Sequence, residues 1–163
     1  MHQSNHRLPD AYEKMIERAS NALYELKDKT TFNLHHVLEE SKQKAVYLGE
    51  LSHEEAAQIA KYIHRDLYDA ARHVLEQERD FSDCLKLEIL LIEEKLIKRI
   101  SSLIEVIRHV VKEPTHPFEW HTGEVTGIGV LKCKSCGKEL HFHQVGHIPP
   151  CPKCHKSHFQ RCW

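Results

Sequence analysis

Cys133-Lys134-Ser135-Cys136-Gly137 and Cys151-Pro152-Lys153-Cys154-His155 decide how this chain is read. Each places two cysteines three positions apart, and 14 residues separate Cys136 from Cys151. A tight turn over such a pair presents both sulfurs to one ion, and two turns joined by a hairpin complete a tetrahedral four-sulfur shell. Soft thiolates in that geometry select Zn(II) ahead of Fe(II). Gly137 suits the left-handed residue that closes the first turn, and His155 holds the equivalent place in the second. Glu139-Leu140-His141-Phe142-His143 alternates as a strand does, Val145-Gly146-His147 can turn the chain back, and Gly127 to Lys132 would enter the first turn as a strand. The spacing thus predicts a zinc ribbon with Zn(II) on Cys133, Cys136, Cys151 and Cys154. Four protein ligands leave no position for water, so the metal is expected to hold the fold and not to catalyse. A redox CxxC would open a helix within a strand-helix-strand unit, a pattern lacking here.

Upstream of Pro114 the chemistry changes. In those 113 residues Gly and Pro occur once each, as Gly49 and Pro9, and apolar residues recur at helical spacing. A first helix is expected after Pro9, with Tyr12, Ile16, Ala19, Leu23 and Leu26 on one face. A second carries Leu34, Leu38, Ala45 and Leu48, and Gly49 follows it at a helix terminus. A third opens on Ser52 and Glu55 with capping-box spacing, carries Ile59, Ile63, Leu67, Ala70 and Val74, and reaches about Arg79. After a turn at Asp80 to Asp83, a fourth is expected to continue unbroken to Glu113, on the order of 45 Å long. Its apolar side, from Leu85 to Val110, is too wide for one partner helix. It calls for a bundle or for a second copy of the chain. The expected fold is mainly α: an antiparallel helical bundle or long helical hairpin over residues 1–115, then a small β zinc ribbon over 116–163. Helices three and four would form the hairpin, and a homodimer through the long helices is one option.

Composition narrows the function. Among 163 residues, 40% are hydrophobic and 29% charged, the balance of an ordered chain. No apolar run is long enough to span a membrane, and the first seven residues do not read as a secretory signal. The expected location is the cytoplasm, where thiols stay reduced. Net charge is −1, split as −4 before residue 116 and +3 after it, which is no strong phosphate-binding footprint. Seven of the 15 histidines fall in the last 48 residues. His141, His143 and His147 are read as exposed strand residues, with a second metal site as the alternative. Cys84 is read as a small buried hydrophobe, and Cys162 as incidental, a spare ligand or an oxidisable thiol.

Phe118 to Gly129 resists a plain reading. Three glycines in seven residues after Trp120 imply backbone that approaches something closely. Either Trp120 pins the ribbon to the helices, or Trp120, His121 and Glu124 form a ligand or partner surface. His121-x-Gly123-Glu124-Val125-x-Gly127-x-Gly129, then Leu131-x-Cys133-x-x-Cys136, Cys151-Pro152-x-Cys154 and Phe159-Gln160-Arg161, resembles the YbeL-like zinc-ribbon-containing bacterial proteins. Gly49-Glu50-Leu51-Ser52 and Arg65-Asp66-Leu67 extend the likeness into the helical half. The resemblance implies an N-terminal helical region, a C-terminal ribbon and zinc on the four cysteines, and no activity.

The expected function is that of a non-enzymatic adaptor. Trp120, His121, Glu124, Phe142, Phe159 and Trp163 would present a surface to an unidentified protein partner. The alternative is a nucleic-acid-associated regulator of transcription or translation, with Lys132, Lys134, Lys138, Lys153, Lys156 and Arg161 on phosphates. An enzyme using His121 and Glu124 is the weakest reading, because no substrate group can be read from the sequence.

Overall fold

A computed structural model describes residues 6–77, 85, 91–109 and 118–163. Among these residues four α-helices precede six short strands: α1 (Arg7–Glu25), α2 (Leu34–Tyr47), α3 (His53–Gln77), α4 (Glu94–Ile107), β1 (Trp120–His121), β2 (Val125–Thr126), β3 (Gly129–Cys133), β4 (Glu139–Phe142), β5 (Gly146–His147) and β6 (His158–Cys162). Helix α1 begins two residues ahead of Pro9, which the first turn tolerates because its missing N–H would lie unpaired there. Asn33 caps α2 by accepting from the His36 amide at 3.1 Å, and Gly49 closes it at φ 68°. The capping box of α3 is reciprocal. Glu55 N–H donates to Ser52 Oγ at 3.2 Å, and Ser52 N–H donates to Glu55 Oε2 at 2.8 Å.

The fourth helix departs from expectation. Ile92 lies in a bend and Glu93 is extended, so α4 starts at Glu94 and runs only about 21 Å within the described residues. No Gly or Pro marks the break. An apolar stripe that stays in phase looks the same whether one helix carries it or two segments do. Cys84, the turn at 80–83 and the expected boundary between residues 115 and 116 lie outside the described residues.

Helices α1 and α3 each pack against the other three described helices and against β2. Leu96, Ile100, Leu103, Ile104 and Ile107 of α4 are buried by that packing. On α4 that apolar face is covered by the other helices of the chain, whereas Leu91, ahead of it, is exposed. No described helix is long and apolar enough to cross a membrane.

The C-terminal part holds two antiparallel sheets, one of four strands in the order β1-β6-β3-β4 and one pairing β2 with β5. Of Val145-Gly146-His147, expected as a turn, Gly146 and His147 instead form β5, which pairs Val125 with His147. Two hydrophobic clusters result. Val125, Ile128 and Val145 join the core of the helical bundle. Trp120, Leu131, Cys133, Ile148, Cys151 and Phe159 form a separate small core around the cysteines.

Candidate metal centre

Strand β3 ends on Cys133 and delivers it to a tight turn in which Gly137 N–H donates to Cys133 O at 3.0 Å and Cys133 N–H to Lys138 O at 2.8 Å. The second turn repeats this pattern. His155 N–H donates to Cys151 O at 2.8 Å and Cys151 N–H to Lys156 O at 3.0 Å. Gly137 and His155 both have positive φ, 74° and 58°. The turn therefore imposes a left-handed residue after each pair, and His155 adopts it without glycine's freedom.

The four sulfurs converge. Cys133 and Cys154 Sγ lie 3.6 Å apart, Cys136 and Cys151 Sγ 3.5 Å, and all four lie within 4.8 Å of one another. These are free thiols, far beyond disulfide length. A tetrahedral ion with bonds of about 2.3 Å would separate its sulfurs by about 3.8 Å, so the observed cage has the right size. Its electrostatics favour thiolates at Cys133 and Cys151, whereas at Cys154 the Lys156 amide is outweighed by burial and the three neighbouring thiols, which push it up to about 12. Backbone amides of Ser135 and Cys136 point at Cys133 sulfur, and those of Lys153 and Cys154 at Cys151. Burial opposes ionisation of Cys151, but these amides and its thiol neighbours outweigh burial and lower it to about 6. Among the described residues this is the only group of three or more His, Cys, Asp or Glu side chains close enough to share an ion. His141, His143 and His147 form no such group, and Cys162 is not part of the cage.

The expected docking surface is not assembled. Trp120 and Phe159 are buried, at 1% and 0% exposure, because they build the small core against the cysteines. Glu124 pairs with Arg65, Trp163 is half-buried and donates from Nε1 to Asp69 at 3.0 Å, and Phe142 is half-buried. His121 retains 40% side-chain exposure, with Glu124 3.4 Å from its Nδ1. Trp120 is thus buried where it joins the ribbon to α3.

What it meets is Asp66 of α3, which sequence reasoning noticed only within the family resemblance. Trp120 Nε1 donates to Asp66 Oδ1 at 2.9 Å, Tyr12 Oη to Oδ2 at 2.9 Å, and Gly127 N–H to Oδ2 at 2.7 Å. Thr126 Oγ1 adds a bond at 3.3 Å. Arg65 Nε sits at 3.0 Å and Arg161 Nη2 at 3.5 Å from Oδ1. Both guanidinium carbons lie near the Trp120 ring, 4.8 and 5.0 Å from its centroid. Burial would push the Asp66 carboxyl up, but the two arginines, the Gly127 amide and the indole outweigh it and hold it below the usual carboxylate range. Asp69 goes the other way: burial raises it against Arg161 and Trp163. One signal could have found the site. Asp66 falls three residues after Ile63 and four before Ala70, on the buried stripe, where an unpaired carboxylate would be costly.

Two of the three glycines make the close backbone approach, both to this network, whereas Gly123 faces open space. A Cβ on Gly127 would lie 2.9 Å from Tyr12 Oη, and one on Gly129, at φ 129°, would lie 2.8 Å from Arg161 Nη1. Gly127→Ala is expected to displace the tyrosine hydroxyl and cost about 1–3 kcal/mol by overpacking. Urea denaturation of the variant checks it, and unchanged stability would refute the crowding.

Residues 12–162 match the family described as "Zinc-ribbon containing domain". The chain belongs to this zinc-ribbon family. Relatives include "Uncharacterized protein YbeL" from Escherichia coli strain K12 and from Escherichia coli O157:H7. Each is 29% identical over 133 residues, covering 77% of this chain and 79% of the relative. No solved structure matches. Within the family frame, several of the stretches that carried the resemblance have a common place. Arg65-Asp66, Glu124 to Gly129 and Arg161 meet in one buried network, and the paired cysteines sit directly beyond it.

Proposed function

We propose that the chain is a non-enzymatic interaction module whose ribbon is held by a structural Zn(II) on Cys133, Cys136, Cys151 and Cys154. The observation that carries this reading is the closed cage: four sulfurs within 4.8 Å of one another, enough to fill the shell of a four-coordinate ion. The residues fit the metal in number, softness and spacing. Its contribution is to hold two turns that the small core alone cannot hold, because six buried residues bury little surface. The partner is a protein, met through surface outside the buried network. Tyr47 and Leu48, 90% and 53% exposed at the end of α2, are the adjacent pair of large apolar side chains open to it. The same reading has the chain working in the cytoplasm, where its thiols stay reduced. Elemental analysis of the reduced chain tests the metal, with one zinc per chain expected. Affinity purification of wild type against Tyr47→Ser/Leu48→Ser tests the docking, and identical partner profiles would refute it.

One observation favours a second reading as a nucleic-acid-associated regulator. Lys134, Lys138, Lys153 and Lys156 all stand exposed on the two cysteine turns. Lys134 is partly spent on Glu119, and Arg161, expected on phosphates, has a side chain only 2% exposed and belongs to the Asp66 network. Four phosphate contacts would make affinity fall roughly a hundredfold between 50 and 200 mM salt. A duplex or single strand that fails to bind at the lower salt removes this reading.

A further inference from the structure

The partners of Asp66 divide into two groups by the core they belong to. Arg65 lies beside it on α3, Tyr12 comes from α1, and Thr126 and Gly127 follow Val125, which is packed in the bundle core. These four need nothing from the cysteines. Trp120 and Arg161 differ. Trp120 is in the small core that Cys133 and Cys151 complete, with Cys136 and Cys154 packed against it. Arg161 is carried by β6, whose neighbour Phe159 is in that same core and pairs with Cys133. Strand β1, which holds Trp120, is attached to the sheet through β6, pairing Trp120 with Phe159.

We propose that the metal cage works a latch: β1 and β6 rest on α3 through Trp120 and Arg161 while the cage is filled, and leave it when the ion is lost. The inference rests on the zinc reading above and adds what the ion controls. Without the ion the four sulfurs lose the centre that holds them together, and the core of Trp120, Leu131, Ile148 and Phe159 loses one wall. Trp120 and Arg161 then have no rigid sheet to hold them against Asp66. The carboxylate is not stranded by their departure, because Arg65, Tyr12, Thr126 and Gly127 still bond it. That second set is why the bundle survives: removing every partner of a buried charge would be strongly destabilising, whereas removing two of six is not equivalent. The β2–β5 pair stays with the helices, since Val125, Ile128 and Val145 are buried in their core. Loss of metal thus uncovers the part of α3 around Asp66 and Asp69 on a bundle that remains folded.

The test uses the full chain, reduced and zinc-loaded, with Trp163→Phe leaving Trp120 as the sole indole. Chelation with excess EDTA is expected to red-shift its emission, readdition of Zn(II) to reverse the shift, and the helical circular dichroism to persist. On the unmodified chain, hydrogen exchange is expected to quicken roughly tenfold or more at 118–121 and 157–163. Segments 11–23, 59–70 and 125–128 should stay protected. If zinc is present and removed yet Trp120 stays buried, the latch is overturned while the metal reading stands. If the helices melt together with the ribbon, the latch is likewise overturned, because nothing folded remains for it to uncover. A chain that binds no zinc overturns the metal reading, and the latch with it.

Discussion

Asp66→Ala is expected to destabilise the chain by about 3–5 kcal/mol, the scale for removing one side of a buried ion pair. The carboxylate accepts from Trp120, Tyr12, Thr126 and Gly127 and faces two guanidinium groups, all in a buried setting. Alanine leaves those donors without their acceptor and takes a counter-charge from both Arg161 and Arg65, of which Arg65 keeps Glu124. Urea or guanidinium denaturation measures the loss, and a change below about 1 kcal/mol would show that the network is not what joins the two parts. Zinc content is expected to be unaffected, since Asp66 is not one of the four clustered residues. The sign with pH follows from the direction of the shift. Because the folded carboxyl lies below its ordinary value, its stabilisation is present above about pH 4 and is lost as pH falls through the folded value. The stability gap between wild type and Asp66→Asn should therefore narrow on strong acidification. Asp69, raised by burial, contributes in the opposite sense, its stabilisation fading as pH rises through its folded value.

Cys136→Ser/Cys154→Ser is expected to abolish stoichiometric zinc and with it the ordered ribbon. These two thiols are half-buried, whereas Cys133 and Cys151 are fully buried parts of the small core. Replacing the outer pair therefore removes ligands with the least damage to packing. Serine hydroxyls do not ionise at neutral pH, and a structural zinc of this class supplies an apparent ~10–16 kcal/mol toward ordering its module. Limited proteolysis should then cut within residues 118–163 while the helical half resists. A double variant that still binds one zinc per chain would mean that other donors can complete the shell.

The metal cage was legible because its chemistry is local. Two cysteines three apart, followed by a residue able to take positive φ, specify a turn with little help from the rest of the chain, and the matching pair specifies its partner. The capping box at Ser52 and Glu55 and the closure of α2 at Gly49 were legible for the same reason, each being satisfied within a few residues. The start of α4 at Glu94 was not, because the apolar spacing across Leu91 to Glu94 carries no Gly or Pro to mark it. Nor was the role of the aromatic residues. Trp120 and Phe159 look alike to sequence whether they face a partner or a core, and the choice is made by what packs against them.

What the linear order of residues determined by itself is a helical half and a four-cysteine ribbon, since helix periodicity and knuckle turns need only neighbours in sequence. Tertiary structure alone decided that the ribbon is seated on α3 over a buried aspartate. The partners of Asp66 come from as near as Arg65 and from as far along the chain as Arg161. A carboxylate placed on a buried stripe announces that it needs counter-charges and donors. It does not say which distant residues will supply them, because desolvation fixes the requirement and only the packed chain fixes the geometry.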